Sequence, residues 1–294
     1  PGFAPPSTTG PLIWLPYCEA TAQRLRDLWN SPSHTESREL SSPDAPTRAR
    51  ILADLEQKLR KSLRTASRGS GAGLSGWRFE YLFPLLRAAG HTWSPFAQLM
   101  SCIAVGDAPL WVREILSLGR ATALKKKDNG VRPLVCHEPL RRLITRSLIF
   151  AASDDIQAFL GPYQFAVGTA GGCHALALSV QKLAEKHSNM VFFKLDLVNA
   201  YNIQSRENAL RNLDSASLDL SSYLRQFYGS GSQYFYRSGP NEHCIISAAE
   251  GIEQGDAAGP ALFACELETP LDKLRVELRR LIISLRNDAR GFDG

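Results

Sequence analysis

The stretch KLDLVNAYN, residues 194–202, places an acid where an apolar run, NMVFF at 189–193, gives out. A carboxylate at the end of a strand either caps the following turn or holds something positive. Taken alone, Asp196 belongs with the turn residues. Two further stretches shift that balance. KKKDNGVRP at 125–133 gathers Lys125, Lys126, Lys127 and Arg132 around Asn129-Gly130, the strongest short hairpin signal. EGIEQGDAAGP at 250–260 sets glycines at 251, 255 and 259, where backbone can approach a ligand closely. Ammonium and guanidinium groups clamp phosphates, and Arg132 can do so with two parallel hydrogen bonds. A carboxylate suits Mg²⁺, a hard cation that also takes phosphate oxygen. These are the parts that metal-assisted phosphoryl transfer needs.

The surrounding pattern mixes helices and strands. RARILADLEQKLRKSLR at 48–64 carries Ile51, Leu52, Leu55, Leu59 and Leu63 as one apolar stripe, an amphipathic helix. GSGAGLSG follows and contains G-x-G-x-x-G at Gly71, Gly73 and Gly76. A dinucleotide site would need a strand before it, and a basic helix stands there instead, so a flexible turn ahead of a helix over WRFEYLFPLLRAAG is expected. Residues 109–119, 138–158 and 172–186 read as helices. RATAL and VRPLVC are the arms of the first hairpin, with Pro133 marking an edge or bulged strand. NMVFFKLD reads as a strand, short helices follow to about 228, and SQYFYRS with HCIISAA forms a second hairpin. A helix starts near Pro260. Without strict β-α-β alternation, the expected class is α+β.

Composition bounds the rest. The chain has 294 residues, 44% of them apolar and 21% charged, as in an ordinary globular protein with a sizeable core. No stretch is long enough to span a membrane. The opening PGFAPPSTTGP reads as an irregular lead-in, lacks a signal-peptide pattern and suggests a partial chain. Net charge is +5, but residues 120–146 carry eight Lys or Arg against two acids and residues 48–68 seven against two, a polyanion-binding footprint. For the 48–68 cluster by itself, a solvated helix face is the better reading. The six cysteines have no C-x-x-C pair, which argues against zinc and for reduced, buried thiols in an intracellular protein.

The three chemical segments together resemble the fingers and palm of a reverse transcriptase, most of all those of non-LTR retroelements. Arg132-Pro133 matches that family's hairpin. Asp196, Asn199, Ala200 and Tyr201 match its D-x-x-N-A-[FY] acid motif. Gln254, Gly255, Asp256, Gly259, Pro260, Leu262 and Phe263 match a pattern like QGDPLGPLLF. GLSGWRFEYL and PLRRLITRSL resemble flanking segments, so the likeness covers roughly residues 68–290.

The resemblance implies a right-hand polymerase core: an irregular lead-in over 1–47, fingers over 48–189 and an incomplete palm with an antiparallel sheet over 190–294, without a thumb. It implies an RNA-directed DNA polymerase of a retroelement, working on an RNA template, a DNA primer and dNTPs with Mg²⁺ (or Mn²⁺), inside the cell, nuclear or cytoplasmic. By the same resemblance Asp196, the Leu197 carbonyl and Asp288 would hold metal, Lys126 and Arg132 the triphosphate, Tyr201 would screen the sugar, and Gln254 and Gly255 would meet the nucleotide. The second acid motif departs from the pattern: SLRNDARGFDG stands where an aromatic-x-Asp-Asp turn belongs, leaving Asn287, Asp288 and Ala289. A copy that keeps the fold and nucleic-acid binding without catalysis is therefore the alternative. A metabolic enzyme using GSGAGLSG for a nucleotide is a weaker third.

Overall fold

The computed structural model describes residues 13, 15, 18–29, 43–88 and 90–290, with side chains as far as 284. These residues build an α+β fold around a four-stranded sheet. Strand β1 (Gly119–Lys125) turns back antiparallel into β2 (Val131–Cys136), with Leu124 opposite Arg132 and Ala123 opposite Pro133. The turn works as its sequence suggests: Asn129 takes the left-handed backbone, φ 59°, that Asn tolerates better than most residues. Strands β3 (Ser232–Arg237) and β4 (His243–Ala248) form the second hairpin. The order is β2-β1-β3-β4, and β1 runs parallel to β3. The sheet is therefore mixed, not the antiparallel sheet expected. Pro133 sits on the edge strand, where its missing N–H breaks no inner ladder bond.

The expected strand over 189–196 does not form. Residues 190–197 are irregular, and Phe193 and Leu195 are 87% and 81% exposed. A strand is stable only when its N–H and C=O groups find a ladder. The segment pairs with neither sheet edge, β2 nor β4, so apolar composition alone cannot hold it extended.

Helices cover the rest. Part of the expected irregular lead-in is a helix, α1 (Glu19–Trp29), which buries Ala22, Leu25 and Trp29 against Tyr234, Tyr236 and Val135 of the sheet. The single helix expected over 48–64 is two, α2 (Ala45–Leu52) and α3 (Leu55–Arg64), broken at Asp54 with φ 54°. Ile51, Leu55, Leu59 and Leu63 stay buried, while the break turns Leu52 outward to 40% exposure. WRFEYLFPLLRAAG gives two 3₁₀ turns, Phe79–Tyr81 and Phe83–Arg87, rather than an α-helix. Pro84 lies within the first turn of the second and supplies no N–H to bond backward.

Helices α4 (Gly90–Ala104), α5 (Leu110–Ser117), α6 (Pro139–Ala151), α7 (Ser153–Leu160), α8 (Gly172–Lys186), α9 (Arg206–Ala216) and α10 (Leu218–Tyr228) follow in chain order. All but α8 place side chains in the main core, which also takes in Ile252, Ala261 and Leu262. That core draws on both sides of residue 189. The last helix, α11 (Gly259–Arg290), runs 32 residues with Pro270 inside it. Asp288 is on its final turns, so a helix occupies the place of the expected palm hairpin, and the Asp288 side chain lies outside the described residues.

Of the six cysteines, which are free thiols, Cys265 alone is buried; Cys102 and Cys173 are exposed, against the expectation of buried thiols. The G-x-G-x-x-G turn serves packing. A Cβ at Gly73 would stand 2.5 Å from Glu138 Oε1, and Glu138 accepts hydrogen bonds from the Ser75 N–H and hydroxyl at 2.8 and 2.6 Å. Among the described residues no helix is long and apolar enough to cross a membrane.

Candidate active site

Three segments far apart in sequence meet at one open cavity of about 540 Å³. Its walls include Lys126 and Arg132 from the β1–β2 hairpin, Asp196, Leu197 and Tyr201 from the segment before α9, and Gln254, Gly255 and Pro260 from the loop entering α11. Seven residues chosen from sequence thus line one space; the side chain of the eighth, Asp288, lies outside the described residues. Lys125 and Lys127 are exposed and do not line it, which singles out Lys126.

Hydrogen bonds tie the segments together. Lys126 Nζ donates to Asn199 Oδ1 at 3.0 Å, fastening the basic turn to the acid segment. Asn199 holds φ 52°, and its carbonyl accepts from the Asn202 N–H at 2.8 Å, a tight turn that brings Tyr201 to the cavity. The Ile252 N–H donates to the Tyr201 carbonyl at 2.6 Å, and Gln254 Nε2 donates to Asn202 Oδ1 at 3.3 Å. The Val135 N–H donates to the Gln254 carbonyl at 2.8 Å, stapling the glycine loop to β2.

Gly255 makes that close approach possible. Its φ is +117°, and a Cβ there would lie 2.5 Å from the Val135 carbonyl oxygen, a backbone atom that cannot swing away. Gly255→Ala is expected to cost about 1–3 kcal/mol, the strain typical of such positions. Urea unfolding checks this, and an unchanged midpoint would show that the loop is not held against β2.

Tyr201 is half-buried, and its ring stacks on Phe263 at 5.4 Å with planes 4° apart. Burial raises its phenol pKa, so the ring presents a neutral hydroxyl at ordinary pH. Stacking fixes the ring as a wall of the cavity.

Beneath the glycine loop lies a charged network that sequence reasoning missed. Arg141 on α6 donates to Glu253 Oε2 at 2.8 Å and Asp256 Oδ2 at 3.1 Å, with all three side chains essentially inaccessible. His137 Nε2 lies 2.7 Å from the same Glu253 oxygen, and the Tyr234 and Ser232 hydroxyls donate to the other at 3.0 and 3.1 Å. Tyr228 donates to Asp256 Oδ2 at 2.9 Å. Burial works to raise the Glu253 carboxyl, but His137 and Arg141 outweigh it and hold it well below the usual range. Glu253 and Asp256 flank Gln254-Gly255, so both ends of the site's loop are anchored from below. The available signal was Arg141 itself, a charge set among Leu140, Leu143 and Ile144 on a helix.

The electrostatics favour an anion with a cation. Among the described residues no carboxylate pairs with Lys126 or Arg132, and no basic group pairs with Asp196. Asp256 also borders the cavity, but its oxygens are taken by Arg141, Tyr228 and the Ala258 N–H. Among the described residues Asp196 is therefore the free carboxylate that lines the cavity, with Leu197 beside it. No cluster of three His, Cys, Asp or Glu occurs among the described residues. Among the described residues that donor set fits one Mg²⁺ completed by phosphate oxygens and water rather than a pair of ions.

Comparison with known proteins agrees with a mobile-element source. No family model matches the chain. Over 228 residues it is 26% identical to the Retrotransposable element SLACS 132 kDa protein of Trypanosoma brucei gambiense. The match covers 76% of this chain and 19% of that protein, so the chain spans about a fifth of the relative's length. The likeness supports a retroelement-related origin.

Proposed function

We propose that the chain is the fingers and palm part of an RNA-directed DNA polymerase from a retroelement, dividing near residue 189. The observation that carries this reading is the convergence of Lys126, Arg132, Asp196, Tyr201 and Gln254 on one cavity. The similarity to a retrotransposable element protein supports it. In this reading Arg132 and Lys126 take the phosphates of an incoming dNTP. Tyr201, fixed by Phe263, excludes an extra ribose oxygen by overlap, and Gln254 faces the sugar or template. Mg²⁺ held by Asp196 and the Leu197 carbonyl would offset the charge that develops on phosphate as a primer hydroxyl attacks. The chain's own part is to position: two cations, one wall and one loop set the nucleotide before the primer end. RNA template, DNA primer and dNTPs are the partners that follow.

A direct test is dTTP binding in Mg²⁺ by titration calorimetry. Arg132→Ala is expected to weaken it roughly 10- to 100-fold, since a charge-assisted hydrogen bond contributes about 1.5–3 kcal/mol. Equal affinity in wild type and variant would remove Arg132 from the site. That Asp196 is the one free carboxylate lining the cavity among the described residues favours a second reading, a copy that retains the fold and nucleic-acid binding without catalysis. It is separated from the first by primer extension.

A further inference from the structure

The basic run over 48–68 reads in sequence as a solvated helix face, but its placement in the fold is not that of ordinary surface charge. Some surface arginines, two of this run's among them, are paired with carboxylates: Arg48 with Asp107, Arg50 with Asp219 at 2.8 Å, Arg211 with Glu207 at 2.9 Å and Arg275 with Glu268 at 2.6 Å. Along α3 the pattern changes. Lys58, Lys61 and Arg64 follow one another at three-residue spacing, about 4.5 Å apart along the helix axis. Among the described residues none of the three has a carboxylate partner. The nearest acid on the helix, Glu56, is engaged by Arg60 at 3.5 Å.

Two grooves meet at this row. One, of about 600 Å³, is lined by Lys58, Lys61, Arg64 and Phe150, with Asp54 its one carboxylate. The other, of about 550 Å³, carries Arg64, Arg68 and Arg87, with Glu80 its one carboxylate. Glu80 Oε1 accepts from the Gly69 N–H, while its Oε2 has no hydrogen-bond partner among the described residues. Arg64 belongs to both grooves, and neither shares a residue with the Asp196 cavity. Phe150, 44% exposed, lines the first, and the Arg146 guanidinium lies over its ring at 4.8 Å from the ring centre. Arg60, which Glu56 engages, also lines the first groove, and Lys58 Nζ donates to the Ala53 carbonyl at 2.7 Å. A groove whose other cations lack carboxylate partners, beside a partly exposed ring, has the two features that grip a single-stranded polynucleotide: charge for the backbone and a ring for the bases.

We propose that these two grooves form one track for a single-stranded polynucleotide, separate from the Asp196 cavity. Lys58, Lys61, Arg64, Arg68 and Arg87 take its phosphates, and Phe150 offers a stacking face. The proposal rests on polyanion chemistry alone and stands whether or not the cavity polymerises nucleotides. RNA and DNA strands share that chemistry, so both belong in the test.

The experiment is fluorescence anisotropy of labelled 15-nucleotide oligouridylate and oligothymidylate across a salt series. Wild type is expected to bind both, with affinity falling steeply as salt rises. The triple variant Lys58→Ala/Lys61→Ala/Arg64→Ala is expected to lose about 2 from the log–log salt slope, at about 0.7 per phosphate contact. Arg211→Ala, which removes a paired surface cation, should leave the slope as in wild type. Should far-UV dichroism show the triple variant unfolded, Lys61→Glu alone reads the same quantity and should lose about 0.7. Salt-independent binding by wild type, or a folded variant with the wild-type slope, would overturn the proposal. Loss of dTTP binding in Arg132→Ala without change in this slope would separate the two sites.

Discussion

Arg141→Met is expected to lower the free energy of unfolding by about 3–5 kcal/mol, the cost of leaving a buried charge without its partner. The guanidinium is 1% exposed, bonded to Glu253 and Asp256, and its carbon lies 4.4 Å from the centre of the Phe227 ring. Met fills much of the volume, so the loss isolates charge rather than packing. Two carboxylates would then be left in the core, one with His137 and one with Tyr228 alone among its side-chain donors. The double variant Arg141→Met/Glu253→Gln should recover part of the loss, because the two groups are in direct contact. Urea unfolding of the three variants measures this. A drop under about 1 kcal/mol in Arg141→Met would show the network to be incidental.

The same network sets an acid limit. Glu253 is held well below the usual carboxyl value of 4.5 when folded. A depressed folded pKa adds stability that is present above the unfolded value and is lost as pH falls through the folded one. Wild type should therefore lose stability progressively below about pH 4.5, and Glu253→Gln should lose less over that window.

Local chemistry was legible in the sequence, and long-range chemistry was not. Asn129-Gly130 and the GPNE turn announced both hairpins, because turn conformations depend on residues two or three apart. The cavity's members were picked out less by local chemistry than by the order of their motifs, which resembles that of a known family. NMVFFKLD failed because strand formation depends on a partner that its own residues do not specify. The Asp54 break failed because one left-handed residue shifts a helix's phase without disturbing the spacing of Ile51, Leu55 and Leu59. Arg141 and Glu253 lie 112 positions apart, so no window of sequence could show that each compensates the other. Lys126 was named ahead of Lys125 and Lys127 by resemblance alone, and the physical distinction is the turn that places its Nζ 3.0 Å from Asn199 Oδ1.

Asp196 is the residue on which the polymerase reading stands. Its side chain is exposed on an irregular segment, so Asp196→Asn should leave stability within about 0.5 kcal/mol of wild type. An amide has a neutral oxygen and cannot offset divalent charge, which removes the cation's share in stabilising the transferring phosphate. Several kcal/mol of that kind corresponds to a rate loss of at least about 10³-fold. The measurement is incorporation of one dNTP onto a DNA primer annealed to RNA, in Mg²⁺, with wild type and Asp196→Asn side by side. Extension by wild type that falls to background in the folded variant is the predicted result. Equal extension by both proteins, or none by wild type, would contradict the assignment of this cavity as a polymerase site.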